Sequence, residues 1–206
     1  VMALTRLGLN QSINLATNTT GNLNLASQVT GTLATGNGGT GATSFTAGIT
    51  VFDTWRLTSS KTNLPSGGED ITADLSRINS NQGGGALGSA MTESSGIFTF
   101  PSTGIFLIQA VATFERTSSD ANYGILQIFT TTDNSSYGRA AEGGETLRND
   151  SASMGQVCID FLFDVTDTST HKCKFRTDVS DANVMKLSGA ANFNATHFNF
   201  IRVGDT

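Results

Sequence analysis

The chain has 206 residues, which suffice for one compact domain of about 100–150 residues and a further segment. Its formal net charge of -5 and its sequence pI of about 4.8 argue against binding to nucleic acid. No run approaches about 18 consecutive apolar residues, so we expect no insertion into a membrane.

The N-terminal part of the chain is unusually free of charge, since residues 7–52 contain no Asp, Glu, Lys or Arg. Thr-Gly pairs begin at positions 20, 30 and 40, which defines a ten-residue repeat. The large apolar residues from Leu7 to Leu33 fall on odd positions. That period of two predicts an extended, strand-like chain with one apolar edge.

A single extended strand can neither bury such an edge nor satisfy its own backbone hydrogen bonds. We therefore predict that residues 13–49 form a slender stalk in which three chains wind around a shared apolar axis. A flexible Gly/Thr/Asn linker is the alternative, above all for residues 34–48. The predicted stalk-axis residues are Ile13, Leu15, Leu23, Leu25, Val29 and Leu33.

A short motif in this segment resembles part of a known class of protein. Residues 37–44 read NGGTGATS and follow a T-G-T-L run at residues 30–33. Such runs resemble segments of bacteriophage tail-fibre and related virion fibre proteins, where they lie between an attachment segment and a distal domain. The resemblance implies that residues 1–12 anchor the chain to other virion proteins.

Residues 96–115 contain the clearest strand signals in the chain. Residues 97–100 are rich in β-branched and aromatic side chains, residues 101–104 read PSTG and predict a turn, and residues 105–114 are almost continuously apolar. A strand this apolar is expected to be buried on both faces. One face would meet the core of its own domain, and the other would meet another subunit.

The same stretch resembles a family signature. The pattern F-T-F-P-x-x-G-I-F-x-I at residues 98–108 is similar to the B–C strand pattern of the trimeric jelly roll of tumour necrosis factor and the complement globular heads. The resemblance implies that residues 153–165, 173–179 and 192–203 are the E, F and closing H strands. It also implies a homotrimer in which the inner sheets meet. The predicted subunit-interface residues are Trp55, Phe106, Ile108, Phe198 and Phe200.

The other strand predictions complete an all-β fold, a ten-strand jelly-roll sandwich that forms a head over residues 50–206. Residues 52–57 predict its first strand, where an ordinary core position is the alternative for Trp55. Residues 70–79 alternate like an amphipathic strand, whereas residues 131–149 are polar and glycine-rich and predict a long loop. Further strands are predicted at residues 123–132, 157–165, 172–179, 184–187 and 196–203.

The two cysteines lie on predicted strands with opposite parity. If Phe163 and Phe175 point into the core, Cys158 points outward and Cys173 points inward. We therefore predict two free thiols rather than a disulfide.

Sequence motifs that carry chemistry are absent. The chain contains no P-loop motif G-x-x-x-x-G-K-[ST], no nucleophile elbow G-x-S-x-G and no H-E-x-x-H motif. No EF-type loop supplies the oxygen ligands of a Ca²⁺ site. We predict no catalytic site, no metal site and no cofactor, although a Ser-His-Asp site assembled in space is still compatible with the sequence.

These features predict a non-enzymatic, homotrimeric virion protein that is assembled in the host cytoplasm and resembles a phage fibre or spike. Its expected partners are further copies of itself, other virion proteins at the N-terminus and a host surface glycan or protein. Three copies of a weak site act together, which favours host-cell attachment as the role of the distal loops. The residues predicted to contact a receptor are Asp120, Asn122, Asp133, Asn134, Tyr137, Glu142 and Glu145.

Three alternative functions are open at this point. A capsid-decorating head fibre, or a tail component without a receptor, would use the same fold. A glycan depolymerase would need two carboxylates about 5–10 Å apart in a groove, and the sequence offers no obvious pair. A secreted complement-like ligand would fit the head, but the N-terminal segment lacks the G-x-y period of collagen.

Overall fold

The structure is a computed structural model, and it describes residues 48–77, 84–117, 122–148 and 153–206. The predicted anchor, all the predicted stalk-axis residues and Asp120 lie outside these residues and stay predictions. No helix in the described ranges is long and apolar enough to cross a membrane.

Two antiparallel sheets make up the described chain, with twelve strands where the sequence predicts ten. The strands of sheet A are β1 (Val51–Leu57), β3 (Leu75–Arg77), β6 (Gly104–Arg116), β9 (Met154–Val165), β11 (Met185–Leu187) and β12 (His197–Gly204). The strand β9 pairs along one edge of β6, and β12 and β11 pair one after the other along its second edge. β1 follows β12, and β3 follows β1.

Sheet B lies on the other side of the sandwich. Its strands are β2 (Glu69–Asp70), β4 (Thr92–Ser94), β5 (Ile97–Thr99), β7 (Tyr123–Thr131), β8 (Gly138–Thr146) and β10 (Lys172–Val179). Their order is β4–β5–β10–β7–β8, and β2 also pairs with β10.

The strands run between two ends of the sandwich, which we name by the course of the chain. The entry end is where β1 begins at Val51, β6 begins at Gly104 and β7 ends at Thr131. The far end is where β1 ends at Leu57 and β7 begins at Tyr123.

Aromatic rings from both sheets meet in the core around Phe98 of β5. This ring is fully buried and lies edge-on to Trp55 and Phe175, with centroid distances of 5.5 Å in both cases. It also approaches Phe200 at 5.0 Å and Phe198 at 6.2 Å. Phe98 therefore packs against aromatic side chains of both sheets at the centre of the core.

The predicted strand–turn–strand unit around Pro101 is confirmed as β5, a turn and β6. Gly104 has a φ of 139°, and a Cβ there would lie 2.4 Å from Arg202 Nε and 2.8 Å from the Gly204 carbonyl oxygen. A residue with a side chain does not fit between these groups, so glycine is required where the turn enters β6.

The long loop predicted at residues 131–149 is wrong, because its middle part, Gly138–Thr146, is the strand β8. β8 pairs with β7 along its whole length, from the partners Tyr123 and Thr146 to the partners Thr130 and Gly138. The loop that joins the two strands is therefore short. Gly143 lies against β9, where a Cβ would come within 2.5 Å of Ile159 Cγ2. The glycines that made the segment look like a loop allow a strand to pass close to its neighbour.

The single strand predicted at residues 70–79 is also wrong. The chain crosses between the sheets here, since β2 pairs with β10 in sheet B and β3 pairs with β1 in sheet A. Ile71 is buried at the crossing, and Asp74 adopts a left-handed conformation with a φ of 58°. The alternating residues are therefore divided between the crossing, with Ile71 and Ala73, and the strand β3, with Leu75 and Arg77.

The prediction for the cysteines is confirmed. Both thiols are free, with Cys158 exposed and Cys173 buried. Burial raises the pKa of the Cys173 thiol, so this group stays protonated and unreactive at neutral pH.

Candidate functional site

The apolar side chains predicted to meet other subunits lie inside the sandwich instead. Phe106, Ile108, Phe198 and Phe200 are all fully buried within one chain. Phe198 stacks on Phe175 of the opposite sheet at 3.7 Å between centroids, so its row faces sheet B. The prediction that these four residues form a subunit interface is wrong, because they fill the core of a single chain.

Trp55 also belongs to the core rather than to a subunit interface. Its ring contacts Phe98, and its Nε1 donates a hydrogen bond of 3.0 Å to Asp53. Asp53 is fully buried and accepts further bonds from Arg77 Nε at 2.8 Å and from the Met91 backbone at 2.9 Å. The Arg77 guanidinium lies over the Trp55 ring at 4.7 Å, so the whole group closes one side of the core.

The alternate row of sheet A carries a continuous apolar ribbon on the outer face, away from sheet B. Five residues from adjacent chain segments pair in one row: Leu87 with Phe52, Phe52 with Ile201, Ile201 with Leu107, and Leu107 with Leu162. Leu87 and Leu162, at the two edges, are 52% and 58% exposed, and the three between them are half-buried. We call this row the apolar ribbon.

A polar row follows the apolar ribbon toward the far end. It runs across Thr54, Asn199, Gln109 and Asp160, and Thr54 Oγ1 donates a hydrogen bond of 2.8 Å to Asn199 Oδ1. Asp160 is exposed on the edge strand β9. The outer face of sheet A is therefore banded, with apolar side chains nearer the entry end and polar ones beyond them.

The next row toward the far end places an arginine and a histidine side by side. Arg56 and His197 are partners across β1 and β12, and Val111 lies beyond His197 on β6. Arg56 is only 2% exposed, and its Nη1 donates a 3.1 Å hydrogen bond to the Ala191 carbonyl. Arg56 Nε and His197 Nδ1 are both buried without a hydrogen-bond partner among the described residues.

The surroundings of His197 disfavour its charged form. Burial, and secondly the positive charge of Arg56, lower the pKa of His197 below its ordinary value of 6.5. The folded chain therefore binds a proton at this site less readily than the unfolded chain does.

This difference predicts a pH dependence of stability. The free energy of unfolding should fall as the pH drops below about 6.5, because protons then favour the unfolded state, and His197 should contribute no slope at higher pH. His197→Gln, which stays neutral, should flatten the curve. Chemical denaturation of both proteins between about pH 7 and pH 5 measures this, and equal slopes would show that His197 is not the titrating group.

The residues predicted to contact a receptor do not form one cluster. Asp133, Asn134 and Tyr137 follow β7 at the entry end, whereas Asn122 and Glu145 lie at the far end. The eight residue steps of β7 place these two groups about 26 Å apart. The prediction of a single group of loops fails because β8 carries the chain from one end of the sandwich to the other.

The entry-end members of this set have local structural partners. Asp133 Oδ1 accepts hydrogen bonds from Ser136 N, Ser135 N and Thr131 Oγ1, and these bonds lower the pKa of the Asp133 carboxyl. Lys174 Nζ lies over the Tyr137 ring at 4.6 Å and pairs with Asp70 at 2.7 Å.

Glu142, which lies between the two groups, pairs with Arg139 and accepts a bond from Gln127. These contacts within the chain explain why Asp133, Tyr137 and Glu142 are polar residues. Their role as receptor contacts stays a prediction.

No group of three or more His, Cys, Asp or Glu side chains in the described ranges could hold a metal ion. The candidate functional site that stands out among the described residues is the outer face of sheet A, which carries the apolar ribbon.

Known protein structures share this arrangement of two sheets. Crystal structures of murine APRIL at pH 5.0 and pH 8.0 match with 12% and 9% identity and TM-scores of 0.51 and 0.52. Each match covers 74% of this chain and 98% of the APRIL chain. Eiger TNF from S. frugiperda matches with 7% identity and a TM-score of 0.56, over 78% of this chain and 96% of that chain.

The chain has a TNF-like jelly-roll fold. No family model and no curated protein sequence matches it.

The TNF-like fold corrects two of the strand letters. Counting from the B–C pair formed by β5 and β6, the strands β7 and β8 are D and E. β9 and β10 are therefore the F and G strands, and not the E and F strands that the resemblance implied. The closing H strand is confirmed as β12, which begins at His197 rather than at residue 192, and its His197 and Asn199 face away from Phe198 and Phe200.

Proposed function

We propose that this chain is a homotrimeric structural protein of a bacteriophage particle, a fibre or spike whose jelly-roll head attaches to the host cell. The observation that carries the proposal is the apolar ribbon on the outer face of sheet A. On a monomer, the ribbon would expose apolar side chains across the whole width of a sheet.

A closed trimer explains why the ribbon reaches both edges of the sheet. The interfaces of a cyclic trimer are heterologous, so each subunit must offer two different patches. The β9 edge with Leu162 supplies one patch, and the β1 side with Phe52 and Leu87 supplies the other. Three copies placed head to tail would cover both patches on every subunit.

The N-terminal sequence supports the assignment to a virion. Residues 37–44 resemble segments of phage fibre proteins, and residues 7–52 carry no charge in a repeat that suits three intertwined chains. A stalk of three intertwined chains and a trimeric head both require three copies, so the two parts of the chain call for the same assembly.

Attachment to a host fits a head of this kind. Three identical sites on one particle raise the apparent affinity by about 10²-fold or more without any new contact. The preceding chain joins the domain at the entry end, so we expect the far end to be available to a host surface.

Immunogold electron microscopy of intact particles tests the proposal, with antibody raised against the full chain. Label on the tail or its fibres, together with block of adsorption by the antibody, is the expected result. Label spread over the capsid without any effect on adsorption would favour a decorating head fibre instead. An absence of label from every particle would overturn the virion assignment.

A further inference from the structure

The most exposed large apolar side chain among the described residues is a single ring in the loop between β11 and β12. Phe193 is 61% exposed, and Asn192 and Asn194 on either side are also exposed. Phenyl rings are usually buried, so a ring held in water at a loop tip needs an explanation.

The loop that carries this ring is held firmly on the side before Phe193. The Ala190 backbone donates a 2.9 Å hydrogen bond to the Leu57 carbonyl, and Gly189 exchanges two bonds with the Ser60 hydroxyl, at 3.1 and 3.3 Å. A Cβ on Gly189 would lie 2.3 Å from the Ser59 carbonyl oxygen, so the backbone passes very close to its support.

The loop is held in the same way on the side after Phe193. Thr113 Oγ1 donates a 3.0 Å hydrogen bond to the Ala195 carbonyl, and Leu57 N donates one of 3.0 Å to the Thr196 carbonyl. Thr113 N also donates to the Thr196 hydroxyl at 3.2 Å. Only the tip, with the ring and its two neighbours, is left to project.

The buried guanidinium of Arg56 also holds the backbone of this loop. Arg56 is 2% exposed and donates to the Ala191 carbonyl, although its Nε has no partner in the described part of the chain. Burying a charge with incomplete hydrogen bonding is costly. Local costs of this kind are expected where structure serves a function, and here the guanidinium fixes the position of the loop tip.

The geometry points to a binding site for a neutral saccharide at this loop tip, with Phe193 as the stacking platform and Asn192 and Asn194 as the polar contacts. The inference rests on the proposed attachment role and names the class of its ligand. The negative face of a phenyl ring attracts the polarised C–H groups of a sugar face. Each asparagine amide offers two donors and an acceptor, which match sugar hydroxyls.

The composition of the loop favours a neutral saccharide over a charged one. Residues 187–201 contain no Asp, Glu, Lys or Arg, so the loop offers no exposed cation to pair with a sialic acid or a sulfate. The tip is also a poor fit to a protein partner, because protein hot spots lie within a surrounding rim of further contacts. A lone ring between two amides suits a small neutral ligand.

Binding of the full chain to an array of immobilised neutral, sialylated and sulfated oligosaccharides tests this inference. We expect retention on neutral oligosaccharides, and Phe193→Ser should weaken it at least tenfold while the oligomeric mass is unchanged. The double change Asn192→Ala and Asn194→Ala should weaken binding by roughly tenfold, as expected for two lost hydrogen bonds. The matched control is Tyr123→Ser, since Tyr123 is a 41% exposed aromatic residue at the same end on sheet B, and it should bind like the wild type.

Four results would overturn the inference. They are binding to charged oligosaccharides alone, unchanged binding by Phe193→Ser, loss of the trimer in that variant, and retention of the chain only on a host surface protein. A competition experiment separates this inference from the proposed function. In it the purified chain is added to host cells, and the adsorption of phage particles to these cells is measured. If wild type and Phe193→Ser block adsorption equally well, the attachment role stands and the saccharide site fails; if neither blocks, both fail.

Discussion

Leu107→Glu is expected to leave the chain monomeric at micromolar concentration. Leu107 lies within the apolar ribbon, between Ile201 and Leu162. In the proposed trimer the new carboxylate would be buried three times, at a cost of several kcal/mol for each unpaired ion. Sedimentation velocity measures the change in mass. The β content in circular dichroism should be kept, because this side chain points away from the core.

Ile97→Glu is the matched control for that experiment. Ile97 is 37% exposed on sheet B, next to the fully buried Phe98, and replacing it introduces the same charge on the opposite side of the sandwich. This variant should keep the mass of the wild-type assembly. A trimeric Leu107→Glu protein would mean that the outer face of sheet A is not the surface through which subunits associate.

Phe98→Ala is expected to cost about 3–5 kcal/mol in the free energy of unfolding, which is a large part of the stability of a typical domain. The ring is fully buried among four aromatic neighbours from both sheets, so its removal leaves a cavity that rigid rings cannot fill. Denaturant unfolding at a fixed chain concentration gives the value. Ile97→Ala should change the same free energy by no more than about 1 kcal/mol, and equal losses for the two variants would contradict the inward orientation of Phe98.

The course of the strands could be predicted from the sequence more readily than their faces. The β5–β6 unit and the alternation along β12 follow from turn residues and a period of two. Both rows of β6 are apolar, however, with Phe106 on one face and Leu107 on the other. Alternation places these residues on opposite faces but does not say which face meets sheet B. The row with Phe106, Phe198 and Phe200 fills the space between the sheets, and the row with Phe52, Ile201 and Leu107 forms the centre of the apolar ribbon.

The strand β8 was missed for a different reason. Its residues are mostly Ala, Gly and Glu, which have low strand propensity. The pairing with β7 and the close approach of Gly143 to β9 impose an extended conformation on them. Contacts distant in the sequence decide the structure here, and the receptor residues placed on this segment were separated as a result.

The parts of the candidate site that bring distant segments together could not be predicted from the sequence. Leu87 and Leu162 are far apart in the chain and become the two edges of the apolar ribbon only through pairing across β1, β12 and β6. The support of Phe193 by Arg56 likewise depends on contacts between β1 and a loop more than a hundred residues later. A partial signal was available for Phe193, since the asparagines on either side of it favour a turn.

Native mass spectrometry of the full chain tests the central claim most directly, namely that three copies associate through the outer face of sheet A. The account predicts a single species at three times the 21.5 kDa mass of the chain. A stable monomer or dimer at micromolar concentration would contradict it.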